Sequence, residues 1–238
     1  MAKTTRPQIV AAARDLMRDR GYAGTSMKEL ADRVGILKGS LYNHFNSKEE
    51  LVPEVLDLAS KEICGVVAPS SNWRLDYEMA LGQIITVLIQ HRRCIGFQLA
   101  YGLDDTDEPV RKAVAGFFQE LRCYLRTLLE QDLDTDTADS FALETITTVE
   151  GATLWLALSN EHGPMEKARV RLMNRANSLA NAPPGSRERG LLDEIMGDWR
   201  LATIGEQRFA SRLAAVEDEL SEYRAQLAGR IEAESCFR

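Results

Sequence analysis

The 238-residue sequence predicts an all-α fold in three parts: a short helical head at the N-terminus, a larger helical bundle, and a long C-terminal helix. Apolar residues recur at helical spacing through most of the chain, while strand-favouring runs and Asn-Gly hairpin turns are missing. Two Ser-x-x-Glu boxes flank a short helical stretch near the N-terminus. Turn-rich segments, GVVAPSSN at 65–72 and NAPPGS at 181–186, punctuate the rest. These breaks divide the chain into residues 1–60, 73–185 and 186–238.

The first helix is expected from Pro7 to Arg20, with Pro in the first turn, Ile9, Ala12, Ala13, Leu16 and Met17 on one side, and Gly21 as the stop. Ser26 and Glu29 form the first box and open a two-turn helix through Leu30, Ala31 and Val34. Gly35 allows a sharp turn, and Lys38 to Phe45 suits another two-turn helix with Leu41 and Phe45 facing inward. The second box, Ser47 to Glu50, is expected to open a fourth helix reaching Cys64. In the body, helices are expected near Trp73–His91, Arg92–Leu103, Asp107–Leu133, Asp136–Ser159 and Pro164–Asn181. In the tail, Phe209, Leu213, Val216, Leu220, Tyr223 and Leu227 alternate by four and three; a coiled-coil seam and an amphipathic helix docked on its own domain both predict that stripe.

Charge is distributed unevenly. Residues 1–48 carry nine Lys/Arg against four Asp/Glu, whereas the remaining 190 carry twenty against thirty-two, which leaves the head basic on an acidic body. Phosphate neutralisation needs only local positive charge, so the net charge of −7 does not exclude nucleic acid. No apolar run is long enough to span a bilayer and the N-terminus lacks a signal-peptide core, so a cytoplasmic protein without membrane association is expected. Cys64, Cys94, Cys123 and Cys236 lie at least 29 residues apart and are expected as buried thiols rather than a disulfide framework or zinc site. The three histidines are scattered, and neither a metal-ligand spacing nor a P-loop, GxGxxG or G-x-S-x-G motif occurs. Neither an enzyme, a cofactor nor a metal is expected.

The stretch Lys38 to Phe45 has the makeup of a groove-reading helix. In a helix-turn-helix the second helix enters the major groove and the flanking turns meet phosphates. With Leu41 and Phe45 as anchors, Lys38, Ser40, Tyr42, Asn43 and His44 project outward or sideways. Lys38 suits guanine O6/N7, Asn43 suits adenine, and Gly39 permits close backbone approach. Tyr42, Thr25, Ser26 and Lys48 are candidates for phosphate contacts.

The run Gly35-Ile36-Leu37-Lys38-Gly39-Ser40-Leu41-Tyr42-Asn43-His44-Phe45-Asn46-Ser47-Lys48-Glu49-Glu50-Leu51 resembles the recognition-helix signature of TetR-family repressors. Gly21-Tyr22-Ala23-Gly24-Thr25-Ser26 resembles that family's link between its first two helices. The resemblance covers residues 7–58. It implies a helix-turn-helix DNA-binding domain, an Ω-shaped homodimer on a palindromic double-stranded operator, and a helical pocket whose small-molecule effector moves the fourth helix. Two positions depart from the pattern. Leu37 stands where a small hydroxyl residue is common, and Pro53, about six residues into the expected fourth helix, predicts a kink there.

In that family frame the last two body helices form the dimer interface. Ala142, Ile146, Val149, Ala152 and Leu156 suit such a contact and equally suit an internal core. An effector pocket is expected among aromatic residues, chiefly Phe97, Tyr101, Phe118 and Trp155, with Trp73, Tyr77 and Phe117 as further candidates and Gln98, His91 and Glu150 as polar partners; aromatic residues at helical spacing also suit a plain core. The expected function is a ligand-responsive regulator, a repressor with activation as the variant. The alternative class is an architectural or adaptor protein that assembles through its C-terminal coil and binds DNA without strong sequence preference.

Overall fold

The computed structural model describes residues 5–64, 67, 69, 70, 72–103 and 107–181. Among them the chain is helical, without strands: α1 (Arg6–Arg20), α2 (Met27–Val34), α3 (Lys38–Tyr42), α4 (Leu51–Cys64), α5 (Trp73–His91), α6 (Ile95–Ala100), α7 (Glu108–Leu129), α8 (Thr135–Ser159) and α9 (Gly163–Asn181). The expected all-α fold is therefore observed. No described helix is long and apolar enough to cross a membrane. Residues 1–177 form one compact unit and residues 178–238 a second, of which only the last turn of α9 is described. The heptad stripe from Phe209 to Leu227 lies outside the described residues.

Capping chemistry sets the ends in the head. The Thr5 amide donates to Gln8 Oε1 at 2.9 Å at the start of α1. At its end Gly21 takes φ +71°, a left-handed value that favours glycine, and its N–H returns to Met17 O at 2.8 Å. Ser26 caps α2 by accepting from the Glu29 amide at 3.2 Å. The reciprocal half of that box is absent, because the Glu29 carboxylate pairs with Arg20 instead. α2 closes at left-handed Gly35, with Ile36 N–H returning to Ala31 O at 3.0 Å.

The segment from α3 to α4 departs from the expected layout at three points. The helix expected from Lys38 to Phe45 is shorter, ending at Tyr42, although Phe45 N–H still bonds to Leu41 O at 3.1 Å. Ser47 does not open α4. The Glu50 carboxylate instead accepts from the Asn46 amide at 2.9 Å and from its side chain, which holds residues 46–50 as a turn and delays the helix to Leu51. Pro53 consequently falls at the third position of α4, where an amide has no intrahelical acceptor, and the ground for a kink disappears.

α1 packs on α2, α4 and α6, and α4 continues onto α5 and α7; α7 in turn packs on α5, α6 and α8. The head is thereby joined directly to the bundle. Arg14 and Arg18 of α1 gather around Glu62 of α4. Arg18 is only 3% exposed, and burial lowers its pKa. The same basic pair and burial lower the pKa of His91 at the end of α5, with burial the larger cause. Beside them, Arg93 donates to Asp19 O at 2.6 Å, and a Cβ on Gly21 would come within 3.2 Å of the Gln98 carbonyl. α6 and its approach therefore lie against the end of α1 backbone to backbone.

In the bundle, Tyr77 and Thr145 share a buried hydroxyl hydrogen bond of 2.8 Å between α5 and α8, and Arg175 of α9 reaches Glu144 of α8 at 3.5 Å. Ala142, Ile146, Val149, Ala152 and Leu156 are all buried within the chain. They are core, not an exposed interface. The opposite side of α8 carries exposed Leu154, Trp155 and Leu158 beside exposed Gly151. The thiols differ from one another: Cys94 is buried, Cys64 half-buried and Cys123 exposed, so the expectation of uniformly buried thiols fails at Cys123; Cys236 lies outside the described residues.

Candidate nucleic-acid interface

Fully buried Leu41 and Phe45 anchor α3, while Lys38, Gly39, Ser40, Tyr42 and Asn43 on the same short segment are exposed. An anchor of this kind is worth about 2–5 kcal/mol per large side chain against truncation to alanine, enough to hold a five-residue helix that propensity alone would not form. The Lys38 ammonium lies 5.6 Å from the Tyr42 ring centroid. A Cβ at Gly39 would meet no atom within 4 Å, so the backbone there is open to an approaching surface. Leu37, 80% exposed, leads into the helix as an isolated apolar side chain.

The flanks are held by side chains that tie the segment down. Lys48 donates to Tyr22 O at 2.8 Å and lies 3.8 Å from the Tyr22 ring centroid, so its ammonium is fixed at the edge of the head rather than extended. Tyr22 Oη donates to Glu49 at 2.6 Å, and this bond, followed by one from Ser47, lowers the pKa of the Glu49 carboxyl. His44 is half-buried, and its carbonyl accepts from Arg6 Nη1 at 2.6 Å. Arg6 also lies 4.0 Å from the Phe45 ring centroid and pairs with Glu54 at 2.5 Å. Sequence reasoning missed Arg6, because its partners lie about forty residues away and leave no local pattern.

Thr25 and Ser26, paired in the sequence reading, part company. Ser26 is exposed at the start of α2. Thr25 is 3% exposed and donates its hydroxyl to Gly21 O at 2.8 Å, so that donor is spent inside the head. It shapes the link between α1 and α2 and is not presented to a phosphate.

Of the expected effector residues, three come together. Phe97 stacks on Tyr101 with ring centroids 5.5 Å apart and meets Phe118 edge-on at 5.7 Å, on α6 and α7. Phe97 and Phe118 are half-buried and Tyr101 is exposed. Trp155 is elsewhere, 48% exposed on the outer side of α8, without a ring contact to that cluster among the described residues. Glu150, half-buried on α8, has its pKa raised by burial to about 7. Tyr77 and Trp73 are buried core residues. A separate groove of about 550 Å³ lies between α5 and α9, lined by Leu75, Glu78, Arg169, Val170 and Met173 among others.

Residues 9–55 match the family described as bacterial regulatory proteins, tetR family. Over 51 residues the chain is 47% identical to the HTH-type transcriptional repressor KstR2 of Mycolicibacterium smegmatis, a match covering 21% of this chain and 25% of that protein. Over 107 residues it is 33% identical to the HTH-type transcriptional activator FasR of the same organism, covering 44% and 48%. The chain thus spans about a quarter of the repressor's length and about half of the activator's. A TetR transcriptional regulator from Legionella pneumophila superimposes with a TM-score of 0.63 at 23% identity, over 74% of this chain and 99% of that one, a likeness of fold. Residues 9–55 thus match the tetR family of bacterial regulatory proteins, and the described helical bundle shares its fold with a TetR regulator.

Proposed function

We propose that this protein is a ligand-responsive transcriptional regulator that binds a palindromic double-stranded operator as a homodimer in the cytoplasm, acting as a repressor. The observation that carries the reading is α3: a polar, open face of Lys38, Gly39, Ser40, Tyr42 and Asn43 mounted on buried Leu41 and Phe45. Such a segment meets base edges through Lys38 and Asn43, while Tyr42, Ser26 and the remaining donors of Lys48 face phosphates. His44 contributes at the rim. Residues 1–60 read DNA, and residues 73–185 take the effector and the second subunit. Repressor and activator relatives share this head, so the sign of regulation follows from operator position rather than from the reading residues.

The test is footprinting of the full chain on DNA upstream of its own coding region, with K38A and Y42A beside it. A discrete palindromic footprint lost in both variants supports the reading; diffuse protection indifferent to both would overturn it in favour of an architectural role. Exposed Leu37 adds a finer expectation. An isolated leucine beside the reading residues fits the C5-methyl of thymine, so replacing the contacted thymine by uracil should weaken the wild type by about fivefold and L37S hardly at all. Equal losses in both proteins would remove that contact.

A further inference from the structure

α3, the segment that carries Lys38, is only five residues long, too short to keep a helical shape or a fixed direction by its own hydrogen bonds. Apolar contacts are non-directional, so the buried anchors Leu41 and Phe45 fix the depth of the segment more firmly than its angle. A directional restraint comes from outside it. Arg6, at the first position of α1, donates from Nη1 to the His44 carbonyl at 2.6 Å, just past the end of α3, and sets its guanidinium 4.0 Å from the Phe45 ring centroid. The other edge of the same plane is held by Glu54, in the first turn of α4: Nε donates to Oε1 at 3.1 Å and to Oε2 at 3.2 Å, and Nη2 donates to Oε1 at 2.5 Å. One planar group thus ties the end of α3 to the starts of α1 and α4. A guanidinium engaged along its edges and on its face takes its orientation from its partners and passes it to whatever it holds.

We infer that Arg6 is a positioning residue for DNA reading: its guanidinium, oriented by Glu54, fixes the angle at which α3 presents Lys38 and Asn43 to base edges. The inference rests on the regulator reading above and deepens it. About half of the Arg6 side chain is exposed, so the competing role is a direct phosphate contact, and the two roles make opposite demands. Positioning needs Glu54 and the planar fork, which the point charge of a lysine does not supply. A phosphate contact needs only the positive charge, which Glu54 partly cancels.

The test is the affinity of the full chain, as wild type, R6K and E54A, for a duplex carrying the footprinted sequence and for a scrambled duplex of equal length. R6K and E54A should each lower the preference for the footprinted sequence by about tenfold, and R6K should leave affinity for the scrambled duplex and its salt slope as in the wild type. An R6K that keeps the wild-type preference, or an E54A that binds both duplexes more tightly at unchanged preference, would overturn the inference in favour of a phosphate contact. Thermal melts establish that both variants are folded. Hydrogen exchange in the free protein supplies a readout without DNA: amides of residues 40–45 should exchange at least about fivefold faster in both variants while those of α5 and α8 keep their rates, and equal rates in all three proteins would likewise overturn it. A wild type that protects no discrete sequence removes the regulator reading instead, and the exchange rates still decide whether Arg6 holds α3.

Discussion

At the scale of single residues, the same side-chain chemistry serves different ends according to where the chain places it. Thr25 has the look of a phosphate contact, yet its hydroxyl is buried and bonded to Gly21 O. T25V should therefore lower stability by about 1 kcal/mol in a thermal melt, because the Gly21 carbonyl loses its donor. It should leave operator affinity untouched, whereas K38A should weaken binding and relax the base preference at the position that Lys38 meets. An operator affinity lowered in folded T25V would return Thr25 to the DNA surface. Glu150 provides a test of opposite kind. Its carboxyl keeps a proton in the folded state up to about pH 7 that the unfolded chain has released by about pH 4.5. Stability therefore falls as pH rises between those values and levels off above them, by at most about 3 kcal/mol. E150Q should melt higher than the wild type at pH 8 and converge with it near pH 4.5; a gap that does not change with pH would mean that the carboxyl titrates normally.

At the scale of elements, what was legible in the sequence is what is decided locally. Gly21, Ser26 and Gly35 mark the ends of α1 and α2 through their own backbone and capping chemistry, and these ends fall where expected. The start of α4 was misplaced because two neighbours competed for one acceptor. Asn46 engaged the Glu50 carboxylate that the Ser47 box required, and four residues became turn instead of helix. α8 is left undecided by the sequence for another reason. Apolar residues occupy most of its circumference, so periodicity does not say which side faces the bundle. The bundle took Ala142, Ile146, Val149, Ala152 and Leu156, leaving Leu154, Trp155 and Leu158 outside. Pairings such as Arg6 with Glu54, or Arg18 with Glu62, span more than forty residues and had no sequence signature. The aromatic cluster lay between these cases: Phe97 in α6 and Tyr101 at its C-cap are four apart and meet as the spacing implies, but only tertiary structure brings Phe118 to them and keeps Trp155 away.

At the scale of the whole molecule, the homodimer proposed above assigns its second copy to the exposed apolar side of α8. L158R places a charge in the middle of that surface, and sedimentation velocity should show the dimer shifted to monomer, with operator affinity reduced by about tenfold or more as the second half-site contact is lost. A dimer indifferent to L158R would place the interface elsewhere. The uneven charge acts at the same scale. In the proposed complex with DNA, the excess of Lys/Arg in residues 1–48 draws the head to the phosphates more strongly than the acidic remainder of the sequence.

The contact between Gly21 and the Gln98 carbonyl bears on how such proteins can be recombined. Because no side chain separates the two backbones there, nothing soft exists to absorb a mismatch. In an exchange of this chain's head, a cut after α4 would part Gly21 from its facing carbonyl, so residues 93–102 belong with residues 5–64 if the head is to keep its angle.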